Sequence, residues 1–371
     1  MKSKILHCTI FFTLFFFSCV NAFSETYLAP VEFGEEDWRY LEKAKNSFNK
    51  GNYGDAIEEA EKARESRKQR CKWEIFTLER TLRYASVRRA DGNFDELLKV
   101  LDDKHLNDAA NIIRIHLSVR SASHYNNSIN GIISYEEVLM NYPEVDHLIA
   151  NIYKMEGEFP LAIQYMQSAY NSIEILNVPE EKYNIIYDLA DLYYDVGDTD
   201  NFEKYMLVVL NDNEDYKNTS LKNAVMSVIS RDTLESVEKF FLLYRSQYSF
   251  SLKAFVSLCE FYNSIPEKQE EALECAALGS LCALTLIEQT LQERINDYSY
   301  IDFRYTLKSL AEYEDIVEWG NKNEIWKLFY LLGDTSSKNQ KLNFATGLFK
   351  ILSQYLPDNY WRLLSERRLI K

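Results

Sequence analysis

Turn-forming residues are scarce in this chain. Only 11 glycines and 6 prolines occur in 371 residues, whereas the two together make up about 12% of an average protein. This scarcity favours long helices joined by short turns. No glycine- or proline-rich linker divides the sequence, so we expect one continuous array rather than the two or three separate domains that the length would allow.

Cysteine is also sparse, and its 6 residues exclude a disulfide-dense scaffold. Cys275 and Cys282 are spaced so that they share one face of a helix, and a disulfide from them to Cys259 on the preceding helix is one interpretation. The other interpretation is that all three are small buried residues of a helix pair. No C-x-x-C spacing predicts a metal site.

The motifs of common enzymes are missing. His105, His116, His124 and His147 form no H-E-x-x-H pair, and the chain has neither a phosphate-binding G-x-x-x-x-G-K nor a G-x-S-x-G nucleophile turn. The sequence therefore predicts a protein that is not an enzyme, with no catalytic residue, no metal and no cofactor.

The N-terminus has the pattern of a secretory signal peptide. Lys2 and Lys4 precede an apolar run over 5–17, which is too short for the roughly 20 residues of a membrane span. We expect residues 1–22 to be cleaved after Ala22. The alternative is a lipoprotein whose lipidated first residue is Cys19. Both interpretations predict export to the periplasm or cell envelope, with membrane contact only if Cys19 is lipidated.

Charge argues against nucleic acid as a partner. The formal net charge is −15, and removal of the signal peptide with its two lysines makes it more negative. One stretch, 62–89, is nevertheless rich in lysine and arginine. It either docks an anionic partner or the membrane surface, or consists of solvated helix faces balanced by neighbours such as Glu58, Glu59 and Glu61.

The pattern of a helix pair is clearest at 148–169, LIANIYKMEGEFPLAIQYMQSA. Ile149, Ala150 and Tyr153 recur at helical spacing before Gly157, a residue that closes helices. Pro160 then fits the first turn of a second helix. The apolar stripe of that second helix comprises Ala162, Ile163, Met166 and Ala169. Ala150 and Ala162 are small enough to let the two helices approach closely.

The same arrangement recurs along the chain. It surrounds Gly51 at 41–63 and Gly197 at 186–202, where Phe202 replaces a small residue, and it is fainter around Gly92 and Asn126. Near the C-terminus the pattern returns in Leu332, Gly333, Ala345, Phe349, Leu352 and Pro357. This recurrence resembles the tetratricopeptide repeat, two antiparallel helices in about 34 residues. The resemblance implies an all-α, tetratricopeptide-type α-solenoid of antiparallel helix pairs, irregular because the turns are unevenly spaced.

The pattern predicts four segments. Residues 1–22 are the signal peptide and 23–210 are N-terminal repeats. Residues 211–322 show apolar periodicity without a repeat signature and are interpreted as degenerate helical repeats. Residues 323–371 hold a C-terminal repeat and a closing helix.

The resemblance also implies where a partner binds. In tetratricopeptide proteins the first helix of each repeat lines a concave groove, with particular positions before the turn facing it. The corresponding groove residues are His116, Arg120, His147, Asn151, Lys154, Tyr187, Asp191, Tyr194 and Asp195. Arg120, Asn151 and Lys154 are similar in type to a groove that captures a peptide carboxylate. Histidines stand where that subfamily has lysines, so the full clamp is absent and binding is open to pH control.

Two functions remain open from the sequence. The first is an exported protein–protein interaction scaffold that binds a peptide segment or protein partner in a concave groove. The alternative is a structural subunit of a cell-envelope assembly that uses its edges and ends, tethered through Cys19 if that residue is lipidated. Apolar side chains exposed away from the groove would favour the second.

Overall fold

The chain folds into helices and the turns that connect them. The computed structural model describes residues 37–88, 131, 133–244 and 250–370, with the side chains of all but 77–88. These residues include 16 α-helices and two short 3-10 helices, and none of them lies in a β-strand. The helices pack in neighbouring pairs. The prediction of an all-α, solenoid-like fold is therefore confirmed.

Two compact units make up the chain, Met1–Ile185 and Ile186–Lys371. The division falls inside the helix Glu181–Asp195. The signal peptide, Cys19 and the faint repeats around Gly92 and Asn126 lie outside the described residues. The predicted segment boundaries after residues 210 and 322 stay predictions.

The described part of the first unit contains two helix pairs. Its helices are α1 (Asp37–Asn49), α2 (Tyr53–Arg88), α3 (Pro143–Glu156) and α4 (Phe159–Asn171), the last followed by a 3-10 turn at Ile173–Ile175. Helix α1 packs on α2, α3 packs on α4, and α2 also contacts α3.

Small residues allow these helices to approach each other. Ala44 of α1 and Ala56 and Ala60 of α2 belong to one core cluster and are fully buried, at 0% exposure. In the second pair Ala150 and Ala162 are equally buried. The prediction that the last two are close contact points is therefore consistent with their burial, since a larger side chain would force the helix axes apart.

Glycine closes the first helix of each pair. Gly51 and Gly157 have φ angles of +78° and +80°, a left-handed conformation that costs glycine little. After α3, the N–H of Gly157 donates to the carbonyl of Lys154 and that of Glu158 to the carbonyl of Tyr153. These bonds satisfy carbonyls that the helix end would otherwise leave open. The predicted stop signals are confirmed.

Helix α2 is longer than the repeat pattern predicts. It runs unbroken for 36 residues, through the stretch where a repeat of ordinary length would turn. No glycine or proline occurs between Asp55 and Arg88, so nothing in the sequence interrupts the hydrogen bonding of the helix. One helix therefore lies where the repeat pattern predicts two helices and a turn.

The second unit contains the remaining helices. They are α5 (Glu181–Asp195, from residue 186 onward), α6 (Thr199–Asn211), α7 (Glu214–Lys217), α8 (Thr219–Ser230), α9 (Ser236–Phe241), α10 (Leu252–Asn263), α11 (Gln269–Arg294), α12 (Phe303–Leu310), α13 (Glu314–Lys322), α14 (Ile325–Lys338), α15 (Leu342–Tyr355) and α16 (Asn359–Leu369). A 3-10 turn at Pro266–Lys268 precedes α11. Helix α11 packs on α10 and α14, and α15 packs on α14 and α16.

An aromatic core joins the middle of this unit. The ring of Phe241 stacks on that of Phe303 at 3.6 Å between centroids, and Phe329 meets both rings edge-on. Phe240 makes a similar edge contact with Phe344 at 5.8 Å. These rings come from α9, α12, α14 and α15, so they tie the region without a repeat signature to the C-terminal repeat.

No described helix is both long enough and apolar enough to cross a bilayer.

Candidate functional site

Three predicted groove residues lie on α3 in the first unit. His147, Asn151 and Lys154 are all half-buried, on a helix whose other side buries Ile149 and Ile152. Their spacing of four and three residues places them along one side of the helix. Helix α3 therefore offers an imidazole, an amide and an ammonium on an accessible strip.

Four predicted groove residues lie on α5 in the second unit, and one of them is not accessible. Tyr187 is only 7% exposed. Its hydroxyl donates to the carbonyl of Phe250 at 2.6 Å and accepts the N–H of Ala254 at 3.3 Å. The expectation that Tyr187 presents an aromatic face to a partner is therefore wrong, because its ring and hydroxyl hold α5 to the start of α10.

The other three α5 residues reach the surface. Asp191 forms an ion pair with Lys253 at 2.8 Å, with both side chains partly exposed. Tyr194 is 56% exposed although its ring packs against Phe202 at 5.0 Å. Asp195 is exposed as well. The C-terminal part of α5 thus presents an aromatic ring flanked by two carboxylates.

The complete groove stays a prediction. His116 and Arg120 lie outside the described residues. The α3 set belongs to the first unit and the α5 set to the second.

The first part of the basic stretch is balanced by its own helix. Lys62 forms ion pairs with Glu58 at 2.8 Å and with Glu59 at 2.6 Å. Arg64 pairs with Glu61 one turn earlier. Exposed pairs of this kind contribute little stability, but they neutralise the local charge. At Lys62 and Arg64 the structure therefore agrees with the second interpretation, in which neighbouring glutamates balance the basic side chains.

Further along α2, two arginines turn inward. Arg67 is 5% exposed, lies 4.0 Å from the ring centroid of Tyr142, and is 3.7 Å from carboxylate oxygens of Asp37 and Glu144. Arg70 donates to Asp37 at 3.1 Å. These groups hold α2 against α1 and α3. Arg67 is therefore a packing residue and cannot meet an anionic partner.

A thiol and two carboxylates meet beside these arginines. Ligand atoms of Cys71, Glu74 and Glu136 lie within 4.8 Å of one another, and all three residues are buried. Burial, helped by the charge of Glu136, raises the pKa of Cys71 to about 12, so the thiol is protonated at neutral pH. Arg70 lies 3.8 Å from Glu74. A metal would have to displace that proton and compete with that arginine.

Within the described part of the chain, Cys259 of α10 and Cys275 and Cys282 of α11 are not in a disulfide. Cys259 and Cys275 are buried, at 0% and 3% exposure, and Cys282 is half-buried. Burial raises the pKa values of Cys259 and Cys275 well above that of an ordinary thiol. The interpretation of these residues as small core side chains matches the structure, and buried protonated thiols are poor nucleophiles.

Sequence comparison adds one relative. No family model matches the chain. A protein of Treponema pallidum (strain Nichols), described as uncharacterized, is 24% identical over 326 residues, which is 87% of each chain. The similarity extends over most of both proteins.

Proposed function

We propose that this chain is an exported binding scaffold that holds a peptide segment or protein partner. The partner lies on the accessible side of the first helix of each helix pair, and these helices are called first-of-pair helices below. Helices α3 and α5 each bury one side in the core and leave the other open to a partner. Export is supported by the lysines and apolar run at the N-terminus. The partner is a protein rather than nucleic acid because the chain is strongly acidic.

The observation that carries this proposal is the exposure of Tyr194. A tyrosine that is 56% exposed at the end of a packed helix supplies a large contact area at a small cost in conformational entropy. Phe202 supports one side of its ring, and Asp195 adds charge. Aromatic side chains on rigid supports are frequent hot spots of protein interfaces.

A tetratricopeptide-type architecture is supported by the C-terminal repeat. Gly333 lies within α14, where a Cβ atom would come within 2.7 Å of the ring of Phe349 on α15. Ala345 is buried, at 3% exposure. A glycine and an alanine at these positions allow the two helices to pack closely, as the resemblance implies.

A second candidate function has support of its own. Helix α16 exposes Tyr360 and Leu363, at 62% and 53%, and Ile370, directly after the last residue of the helix, is 79% exposed. Spacings of three and seven residues place these apolar side chains along one side of the helix. An apolar strip on the last helix is what a structural subunit of an envelope assembly would use to join a neighbour.

Photo-crosslinking in intact cells distinguishes the two functions. A benzophenone amino acid replaces Tyr194 in one variant and Tyr360 in another, since both positions are occupied by exposed tyrosines. The scaffold proposal predicts a discrete protein adduct from position 194 and none from position 360. An adduct from position 360 alone would support the structural subunit and contradict the scaffold.

A further inference from the structure

One short sequence occurs twice along α5. The pattern Tyr-Asp-x-x-Asp covers 187–191 and again 194–198. The two copies are seven residues apart, which is about two turns of an α-helix, so Tyr187 and Tyr194 lie on nearly the same side of α5. The first copy is packed inside the second unit, and its contacts show what a tyrosine and an aspartate of this pattern hold there.

The first copy holds an ammonium group. Lys253 of α10 pairs with Asp191 at 2.8 Å, and its Nζ lies 5.0 Å from the ring centroid of Tyr187. The carboxylate accepts a charge-assisted hydrogen bond, and the face of the tyrosine ring attracts the same cation. Tyrosine and aspartate thus act together on one positive charge.

The same combination of groups recurs elsewhere in the second unit. Lys268 donates to both carboxylate oxygens of Glu203 at 2.8 Å and lies 4.8 Å from the ring centroid of Tyr262. A carboxylate beside a tyrosine ring is therefore a repeated way in which this unit binds an ammonium group.

The second copy is accessible from outside. Tyr194 is 56% exposed and Val196 is 45% exposed, and the carboxylates of Asp195 and Asp200 are also at the surface. The ring of Phe202 lies 5.0 Å behind that of Tyr194 and supports it. In the described part of the chain, no lysine or arginine lies over the ring of Tyr194. This ring is therefore open to a cation of a partner.

Asp198 lies beside the same ring and keeps its charge. Its N–H donates to the carbonyl of Tyr193 at 2.8 Å, and its carbonyl accepts the N–H of Phe202 at 3.1 Å. Its carboxylate accepts the side-chain amide of Asn201 at 2.7 Å and the backbone N–H of the same residue at 3.1 Å. These neutral donors hold the pKa of Asp198 below its usual value, so the carboxylate is ionised at neutral pH.

The charge of the whole region has one sign. Residues 183–203 carry six carboxylates and no lysine, arginine or histidine. Lysines from α10 and from the turn before α11 pair with two of the six. Such a surface attracts a partner segment of positive charge and repels an acidic one.

We infer that the end of α5 and the start of α6 form a docking surface for a basic segment of the protein partner. A lysine or arginine side chain of that segment lies over the ring of Tyr194 with its charge towards Asp198, and an apolar side chain beside it covers Val196. This inference rests on the proposed function, to which it adds the chemistry of the partner. It repeats, with a side chain from outside, the arrangement in which Lys253 binds the first copy.

Isothermal titration of the purified mature protein at low ionic strength tests this surface. The probes are three acetylated and amidated heptapeptides: Gly-Arg-Leu-Gly-Arg-Leu-Gly and the two peptides in which glutamine or glutamate replaces both arginines. We expect the arginine peptide to bind at least about tenfold more tightly than the glutamine peptide, and the glutamate peptide not to bind. Spermidine serves as a cation without a peptide backbone and should bind more weakly than the arginine peptide.

Two substitutions locate the binding, with a matched control. Tyr194→Ala removes the ring, and Asp198→Asn removes the charge while asparagine still caps α6. We expect each to weaken binding of the arginine peptide by about threefold or more. Asp297→Asn removes the same charge from an exposed turn after α11 and should bind like wild type.

The inference is overturned if the arginine peptide binds no more tightly than the glutamine peptide or spermidine. It is also overturned if either Tyr194→Ala or Asp198→Asn binds like wild type, or if Asp297→Asn weakens binding as much as they do, because net charge alone would then explain the attraction. The photo-crosslink from position 194 tests the scaffold separately. A protein adduct whose cross-linked segment lacks lysine and arginine would leave the scaffold standing and contradict this inference, whereas no protein adduct would contradict the scaffold itself.

Discussion

Glu203 and Glu288 are two glutamates of the second unit with opposite pKa shifts. Burial alone would raise both. At Glu203 the hydrogen bonds from Lys268 and Tyr262, together with the charge of Lys268, hold the pKa below its usual value. At Glu288 burial outweighs the hydrogen bonds from Tyr298 and Thr306, and the pKa is raised. The presence or absence of a nearby lysine thus decides the preferred charge state.

This difference predicts opposite pH dependences for two matched variants. The raised pKa of Glu288 gives stability that is present below the unfolded-state pKa and lost as pH rises through the folded one. Glu288→Gln should therefore become more stable relative to wild type between about pH 4 and pH 8. The lowered pKa of Glu203 gives stability that is present above the unfolded-state pKa and lost as pH falls through the folded one. Glu203→Gln should therefore become less stable relative to wild type as pH rises from about 3 to about 5, and the pH series begins at about pH 3 for this variant.

Melting temperatures across that pH series measure both effects. Each variant is compared with wild type at the same pH, so that the titration of all other groups cancels. Differences that change with pH in the same direction for both variants would show that the surroundings of Glu288 are misassigned.

At the scale of the helices, the turns that could be predicted from the sequence are those that contain a glycine. The turns at Gly51, Gly157 and Gly197 are left-handed, and each was predicted from the glycine. The turns after α8, α11, α13 and α14 use Asp232, Asp297, Glu324 and Gln340, whose φ angles lie between 48° and 62°. Residues other than glycine adopt this conformation rarely, so the turns at Asp232 and Asp297 could not be recognised from the sequence, and no repeat was predicted in 211–322. The repeat that contains the Gln340 turn was recognised from the small and apolar residues on either side of it.

Contacts between elements that are far apart along the chain could not be predicted from the sequence either. The expectation for Tyr187 failed because its hydroxyl partner, the carbonyl of Phe250, lies 63 positions along the chain. Arg67 was assigned to a surface patch, yet its carboxylates come from α1 and α3. Glu288 was not singled out because its neighbours Tyr298 and Thr306 are brought to it by the turn into α12. Periodicity shows which side of a helix is buried, but not which polar groups meet there.

Close helix packing gives a prediction for α3 and α5. Ala150 and Ala190 are both 0% exposed, so Ala150→Arg and Ala190→Arg would each place a long charged side chain between packed helices. Overpacking costs about 1–3 kcal/mol, and an unpaired buried charge adds to that. We expect each substitution to lower the melting temperature by several degrees.

The control for this prediction is Met155→Arg on α3, at a position that is 63% exposed. It adds the same charge and side-chain length without entering the core, and should unfold close to the wild-type temperature. Wild-type melting curves for the two alanine variants, measured by circular dichroism at 222 nm, would mean that the buried sides of these helices are assigned wrongly.

For the molecule as a whole, the proposed export depends on how the N-terminal segment is processed. The sequence predicts cleavage after Ala22, and the alternative places a lipid on Cys19. Intact mass spectrometry of protein purified from its native membranes and soluble fractions separates them. We expect a chain that begins at Phe23, without added mass. A mass corresponding to a chain that begins at Cys19 with acyl groups would place the scaffold on a membrane instead.

The central claim is that accessible side chains of the first-of-pair helices bind a partner. The most direct measurement is isothermal titration of the mature protein with the partner captured by photo-crosslinking. Tyr194→Ala should weaken binding by tenfold or more, which corresponds to about 1.4 kcal/mol, while Tyr360→Ala on α16 leaves it unchanged and both variants keep wild-type helicity. Unchanged affinity for Tyr194→Ala together with a tenfold loss for Tyr360→Ala would contradict the claim and assign binding to the end of the chain.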